Sequence, residues 1–136
     1  YKIKKVKDKI LGRQISDAKT VVQLFEDLQN ETKEKLITIN LDSKNKIICF
    51  EVVAIGSLNA IYLRPGEVFR TSILVNAAAA IVIHNHPSGD PRPSKEDKEL
   101  TKHLKIVSDA MGLSFYDHVI IGLDGYFSFA EKLLIK

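Results

Sequence analysis

The stretch IVIHNHPSGDPRPSKED, residues 81–97, closes an apolar run with two histidines one residue apart, then continues into a Pro/Gly-rich turn, a serine and an aspartate. On a strand, residues i and i+2 point to the same side, so His84 and His86 can converge on one point if extended backbone persists through Asn85. Pro87 to Pro93 form a stiff excursion that can bring the first turn of the next helix back over the strand end, where Asp97 would offer a carboxylate oxygen. Two histidines and one carboxylate bind zinc and leave the fourth tetrahedral position to water, the arrangement of catalytic rather than structural zinc. H-x-H alone is a weak signal. Ser94 and Asp97 also match the S-x-x-D/E spacing of a helix capping box, so plain structure accounts for that pair equally well.

Glu51 adds a second carboxylate. It lies inside IICFEVVAI, with apolar side chains on both sides, where an unpaired charge is costly. It is therefore either an edge-strand residue reaching water or a general base beside a metal. Glu67, after the breaker RPG, reads as a first-turn acid favoured by the helix dipole. His103 reads as a surface residue of a helix. His118, in FYDHVIIG, is either a satisfied core histidine or a group supporting the metal from behind its ligands.

These residues need elements to carry them. Ser16 is placed to cap an amphipathic helix over 17–30, in which Val21, Leu24, Phe25 and Leu28 recur at helical spacing. KLITINL and KIICFEVVAIG, joined by DSKN, predict an antiparallel hairpin near 35–55, which SLNAIYL would extend. EVFRTSILVNAAAA predicts a helix, and AIVIH a short, fully buried strand delivering His84 to its end. Ser94 starts a helix running to Gly112, with Leu100, Leu104 and Val107 on its apolar side, and LSFYDHVIIG with YFSF forms a last hairpin. This order predicts a mixed α/β (α+β) domain, a mixed sheet covered by helices.

At 136 residues the chain fits one domain, and no apolar run approaches the roughly 20 residues of a membrane span. Cys49 is the only cysteine and the start YKIKKVKDKI lacks a signal-peptide segment, which together point to a reducing, cytoplasmic setting. The net charge of +3 is concentrated at the start: residues 1–13 carry +5, leaving the rest at −2. Residues 1–13 are therefore expected to be a basic linker and 14–136 the folded domain. Such a tail lacks interleaved aromatics and supplies only weak, salt-sensitive affinity for nucleic acid. The start at Tyr1 rather than Met suggests a piece of a longer protein.

Glu51 followed by HNHPSGDPRPSKED resembles the JAMM metalloprotease motif of JAB/MPN domains: a distant Glu, H-x-H, seven residues, Ser, two residues, Asp. More closely, LNAIYLRPGEVFRTSILVNAAAAIVIHNHPSGD and DHVIIG resemble the C-terminal domain of the RadC family, historically labelled DNA repair proteins, over about residues 14–131. The resemblance implies a sheet related to that of cytidine deaminases, with one Zn2+ held by His84, His86 and Asp97. It further implies Glu51 as general acid/base and Ser94 as a hydrogen-bonding group near the metal. The expected activity is metallopeptidase or isopeptidase hydrolysis of a peptide or protein substrate. In full-length family members a helix-hairpin-helix-like region precedes this domain, which would be the source of any DNA association.

Other classes fit less well. A base deaminase needs H-x-E with P-C-x-x-C, which one cysteine cannot supply. The literal HNH triplet does not match nucleases that spread those residues over a ββα unit. A non-catalytic JAB-like module that binds protein or DNA and holds a structural zinc is the runner-up.

Overall fold

The computed structural model of the protein describes residues 10–56 and 63–135. Five strands form one sheet: β1 (Lys35–Leu41), β2 (Ile47–Ile55), β3 (Ala79–Asn85), β4 (Ser114–Ile121) and β5 (Tyr126–Ser128), in the spatial order β2-β1-β3-β4-β5. β3 and β4 run parallel and the other neighbours antiparallel, so the sheet is mixed, as the order of elements predicted. The 35–55 hairpin forms as expected, while SLNAIYL falls, apart from its last residue, outside the described residues.

Helices cover both faces. On one side α1 (Ala18–Leu24) and a 3₁₀ turn (Glu26–Asn30) lay Val21, Phe25 and Leu28 against Ile37, Ile39, Ile81, Ile83 and Val119. The other side is covered by α2 (Pro65–Val68), α3 (Arg70–Leu74) and α4 (Lys95–Met111), whose Val68, Leu100 and Leu104 pack with Leu36, Val82, Phe115 and Ile120. β3 is the middle strand and all seven of its residues are buried, which is why its sequence shows no alternation.

Four expectations change. The first helix is shorter than 17–30 and is capped by Asp17 rather than Ser16, because the Asp17 carboxylate accepts from both the amide and the hydroxyl of Thr20. Its continuation tightens into the 3₁₀ turn as Phe25 turns into the core, edge-on to Phe50. The helix expected through EVFRTSILVNAAAA is two short helices, and Ala79 and Ala80 belong to β3. Asn76, at φ +52°, ends the helical path, and two alanines with no exposed surface gain more from ladder pairing with β1 and β4 than from helix propensity. Packing also begins before residue 14: Ile10 is buried, and the backbones of Gly12 and Arg13 bond to Ile47.

Two features of the fold aim the chemistry. First, β1 carries polar Thr38 and Asn40 on the face that holds α2 and α3. Thr38 Oγ1 donates to Val68 O at 2.7 Å and Asn40 Nδ2 to Thr71 Oγ1 at 2.9 Å, which fixes these short helices against β1. Second, the loop 86–93 is fastened to the β4–β5 turn: His86 N donates to Ile121 O, and Leu123 N to Gly89 O. Gly122 permits this closeness, since a Cβ there would lie 2.4 Å from Gly89 O and 2.8 Å from Pro91 Cδ. Gly122→Ala is expected to destabilise the protein by about 1–3 kcal/mol, because backbone rather than a pliable side chain must move. Urea unfolding would check this, and an unchanged midpoint would refute it.

Candidate metal centre

His84 and Asn85 end β3, and His86 follows. The Asn85 amide keeps the chain extended past the last ladder pair: its oxygen accepts from Lys35 N at 2.7 Å, and its nitrogen donates to Lys33 O at 3.1 Å. Both imidazoles consequently face one side, with their Nε2 atoms 3.1 Å apart. α4 enters that space with its first turn. Ser94 and Asp97 form a complete capping box, Asp97 N donating to Ser94 Oγ and Ser94 N to Asp97 Oδ2. The same carboxylate lies 3.0 Å from His86 Nε2 and 3.2 Å from His84 Nε2. The cap and the cluster are thus one structure, and the two explanations of Ser94 and Asp97 do not compete.

The two Nε2 atoms lie 3.1 Å apart and each faces its own Asp97 oxygen, Oδ1 at 3.2 Å from His84 and Oδ2 at 3.0 Å from His86, a donor set that fits a metal. Tetrahedral zinc, with bonds of about 2.0–2.1 Å, spaces its ligand atoms by about 3.3 Å. Each imidazole is also oriented from behind. His86 Nδ1–H donates to Asp90 O at 2.8 Å, which leaves Nε2 as the nitrogen that could hold a metal, and His84 Nδ1 lies 2.8 Å from His118 Nε2. Asp90 is itself held, with Arg92 gripping its carboxylate and lowering its pKa to about 2.

The electrostatics suit a cation. Burial alone would raise the Asp97 carboxyl, but hydrogen bonds from His84 and His86, with the Ser94 amide, outweigh it and hold the group well below the usual carboxylate range. The hydrogen bond to Asp97 raises His86 above the ordinary imidazole value, against the opposing effect of burial. His118 has no exposed surface. Burial, reinforced by the nearby His84, keeps it neutral.

Glu51 lies on β2 opposite Thr38, and Thr38 is opposite Val82 on β3, two residues before His84. Directly paired residues share a face, so Glu51 and His84 stand on the same side of the sheet. Arg70 of α3 holds one carboxylate oxygen, with Nη2 2.6 Å from Oε2. The other, Oε1, is buried and has no hydrogen-bond partner among the described residues. Glu51 does lie on an edge strand, but Arg70 rather than water holds one carboxylate oxygen, and the other is available among the described residues for the general-base role.

Of the remaining candidates, Glu67 pairs with Arg64 in the first turn of α2, and His103 is exposed on α4. His118 backs the cluster rather than simply filling the core. Sequence reasoning missed Arg70, which meets Glu51 only through the fold, and Thr101, whose hydroxyl lies 2.6 Å from His118 Nδ1. Thr101 had a faint signal: it is one turn after Asp97, on the same side of α4.

Comparison with known proteins agrees with this geometry. The family model described as RadC-like JAB domain matches residues 15–134. A UPF0758 protein of Methanosarcina mazei is 43% identical over 125 residues, covering 91% of this chain and 55% of the relative. One from Pelodictyon phaeoclathratiforme is 42% identical over 126 residues, covering 92% and 57%, and one from Protochlamydia amoebophila 42% over 132, covering 96% and 56%. The chain therefore spans little more than half the length of these curated relatives. With the five-stranded mixed sheet and the His84–His86–Asp97 cluster in place, the family match across nearly all of its length makes this chain a member of the RadC-like JAB domain family.

Proposed function

We propose that the domain is a zinc-dependent hydrolase of peptide or isopeptide bonds. The observation that carries this reading is the convergence of the His84, His86 and Asp97 donor atoms on the sheet face that also presents Glu51 Oε1, which has no partner among the described residues. When bound, zinc supplies Lewis acidity, making a water nucleophilic near neutral pH and polarising the amide carbonyl. Glu51 accepts the proton of the attacking water and returns it to the leaving nitrogen, while Arg70 fixes the carboxylate through its other oxygen. Ser94 Oγ accepts from Asp97 N and keeps its own hydroxyl proton for the oxygen on which negative charge develops.

Membership in the family favours this reading without naming a substrate, since a fold limits chemistry less than its site does. No helix among the described residues is long and apolar enough to cross a membrane. The non-catalytic alternative draws on Asp97, because a metal there would tie β3 to α4 and so serve stability. The test is turnover by the zinc-loaded chain on a broad panel of peptide and isopeptide substrates, with chelation and zinc restoration as controls. Cleavage that is lost and regained with the metal supports the hydrolase, whereas a zinc-loaded protein inert across the panel supports the binding module.

A further inference from the structure

Behind His84 lies a chain of contacts that the hydrolytic steps do not use. His84 Nδ1 is 2.8 Å from His118 Nε2, and His118 Nδ1 is 2.6 Å from Thr101 Oγ1. Thr101 Oγ1 in turn donates to Asp97 O at 2.9 Å. The path leaves one candidate ligand and ends on the backbone of another. All its side chains are buried, and His118 is further fixed by stacking on Phe129, ring centres 5.0 Å apart and planes 10° from parallel.

Proton positions in this chain are coupled. The Thr101 hydroxyl gives its only proton to Asp97 O, so it can only accept from His118, whose proton must then be on Nδ1. A neutral His118 with Nδ1–H has a bare Nε2, which accepts from His84 Nδ1–H. With its Nδ1 proton held this way, His84 has Nε2 as the atom at which a metal would displace the proton shared with Asp97, so the relay sets the one tautomer able to ligate a metal there.

We propose that Thr101 and His118 are positioning residues that set the metal-binding tautomer of His84, with Thr101 as the group that gives the relay its direction. The proposal rests on the metal reading above and adds residues outside the ligand set. Removing the hydroxyl leaves His118 Nδ1–H buried without an acceptor. His118 then favours the other tautomer, which sets Nε2–H against His84 Nδ1–H and drives the His84 proton onto the ligating nitrogen.

The test is cobalt(II) and zinc affinity, measured by competition against a chelator and by the visible spectrum of the cobalt form. The parent chain is compared with Thr101→Val, which keeps the shape, and Thr101→Ser, which keeps the hydroxyl. Thr101→Val is expected to bind about 10–100-fold more weakly, the range for lost outer-shell partners, and Thr101→Ser to recover most of the affinity. Thermal unfolding of each metal-free variant separates weak binding from poor folding. Nitrogen-15 NMR of the zinc-loaded parent is an independent readout, with the His118 proton expected on Nδ1. Parental affinity in a folded Thr101→Val, or a His118 proton on Nε2, overturns the relay while leaving the metal centre intact. A parent chain that takes up neither ion overturns the metal reading itself, and the relay with it.

Discussion

Glu51→Gln is expected to lower amide hydrolysis by about 10²–10⁴-fold while the chain keeps its zinc. The substitution isolates proton transfer, because Gln matches the shape of Glu and retains an oxygen that Arg70 can hold, but has no basic oxygen to accept a proton. Glu51 is not among the three converging donors, so metal content should match the parent. Stability should change little: the pair with Arg70 is weakened, yet Arg70 is more than half exposed, so that loss is screened. In the parent, Oε1 is a buried charged oxygen with no partner among the described residues, and replacing it with an amide group relieves part of that desolvation. The measurements are turnover, zinc per chain and the unfolding midpoint. A Glu51→Gln protein that hydrolyses at the parental rate removes Glu51 from proton transfer and, with it, the main catalytic assignment. One that loses zinc along with activity would instead make Glu51 part of the metal's support.

The sequence made the converging His84, His86 and Asp97 legible because they are close together along the chain and each obeys a local rule. Period-two alternation puts His84 and His86 on one side of an extended segment, and the capping box puts Asp97 in the first turn of α4. The buried middle strand was equally readable, because a continuous apolar run bounded by a turn has few other uses. Long-range geometry was not readable. Arg70 reaches Glu51 because Thr38 and Asn40, two polar residues in the middle of an apolar strand, hold α2 and α3 against β1. Nothing local to EVFRTSIL marks that contact, and its alanine-rich continuation argued for a longer helix until tertiary pairing claimed Ala79 and Ala80. His118 stayed ambiguous for a related reason. A histidine in an apolar strand is equally consistent with filling and with support, and only the 2.8 Å contact with His84 decides between them.

Asp97→Asn is expected to weaken zinc binding by at least about a hundredfold, more than outer-shell losses alone produce, while α4 keeps its start. Asn separates the two tasks of this residue. Its side-chain oxygen can still accept from Ser94 N, so the capping box persists, whereas Ala would remove that bond and cost up to about 1 kcal/mol of helix stability. What Asn removes is the negative charge shared by the two oxygens, Oδ1 facing His84 and Oδ2 facing His86. In the metal-free proteins the loss should also depend on pH. Asp97 is depressed, so its contribution is present above the unfolded carboxyl value near 4 and fades as pH falls further. His86 is raised by the same contact, so its contribution is complete below the unfolded imidazole value near 6.5 and fades as pH rises through the folded one. The stability gap between parent and Asp97→Asn should therefore be widest between about pH 4 and 6.5 without metal. Near neutrality, zinc should raise the unfolding midpoint of the parent and leave that of the variant almost unmoved, because a ligand stabilises only the folded state that binds it. A variant that takes up one zinc per chain with parental affinity would show that the carboxylate serves only the helix, and the two histidines would then need another partner.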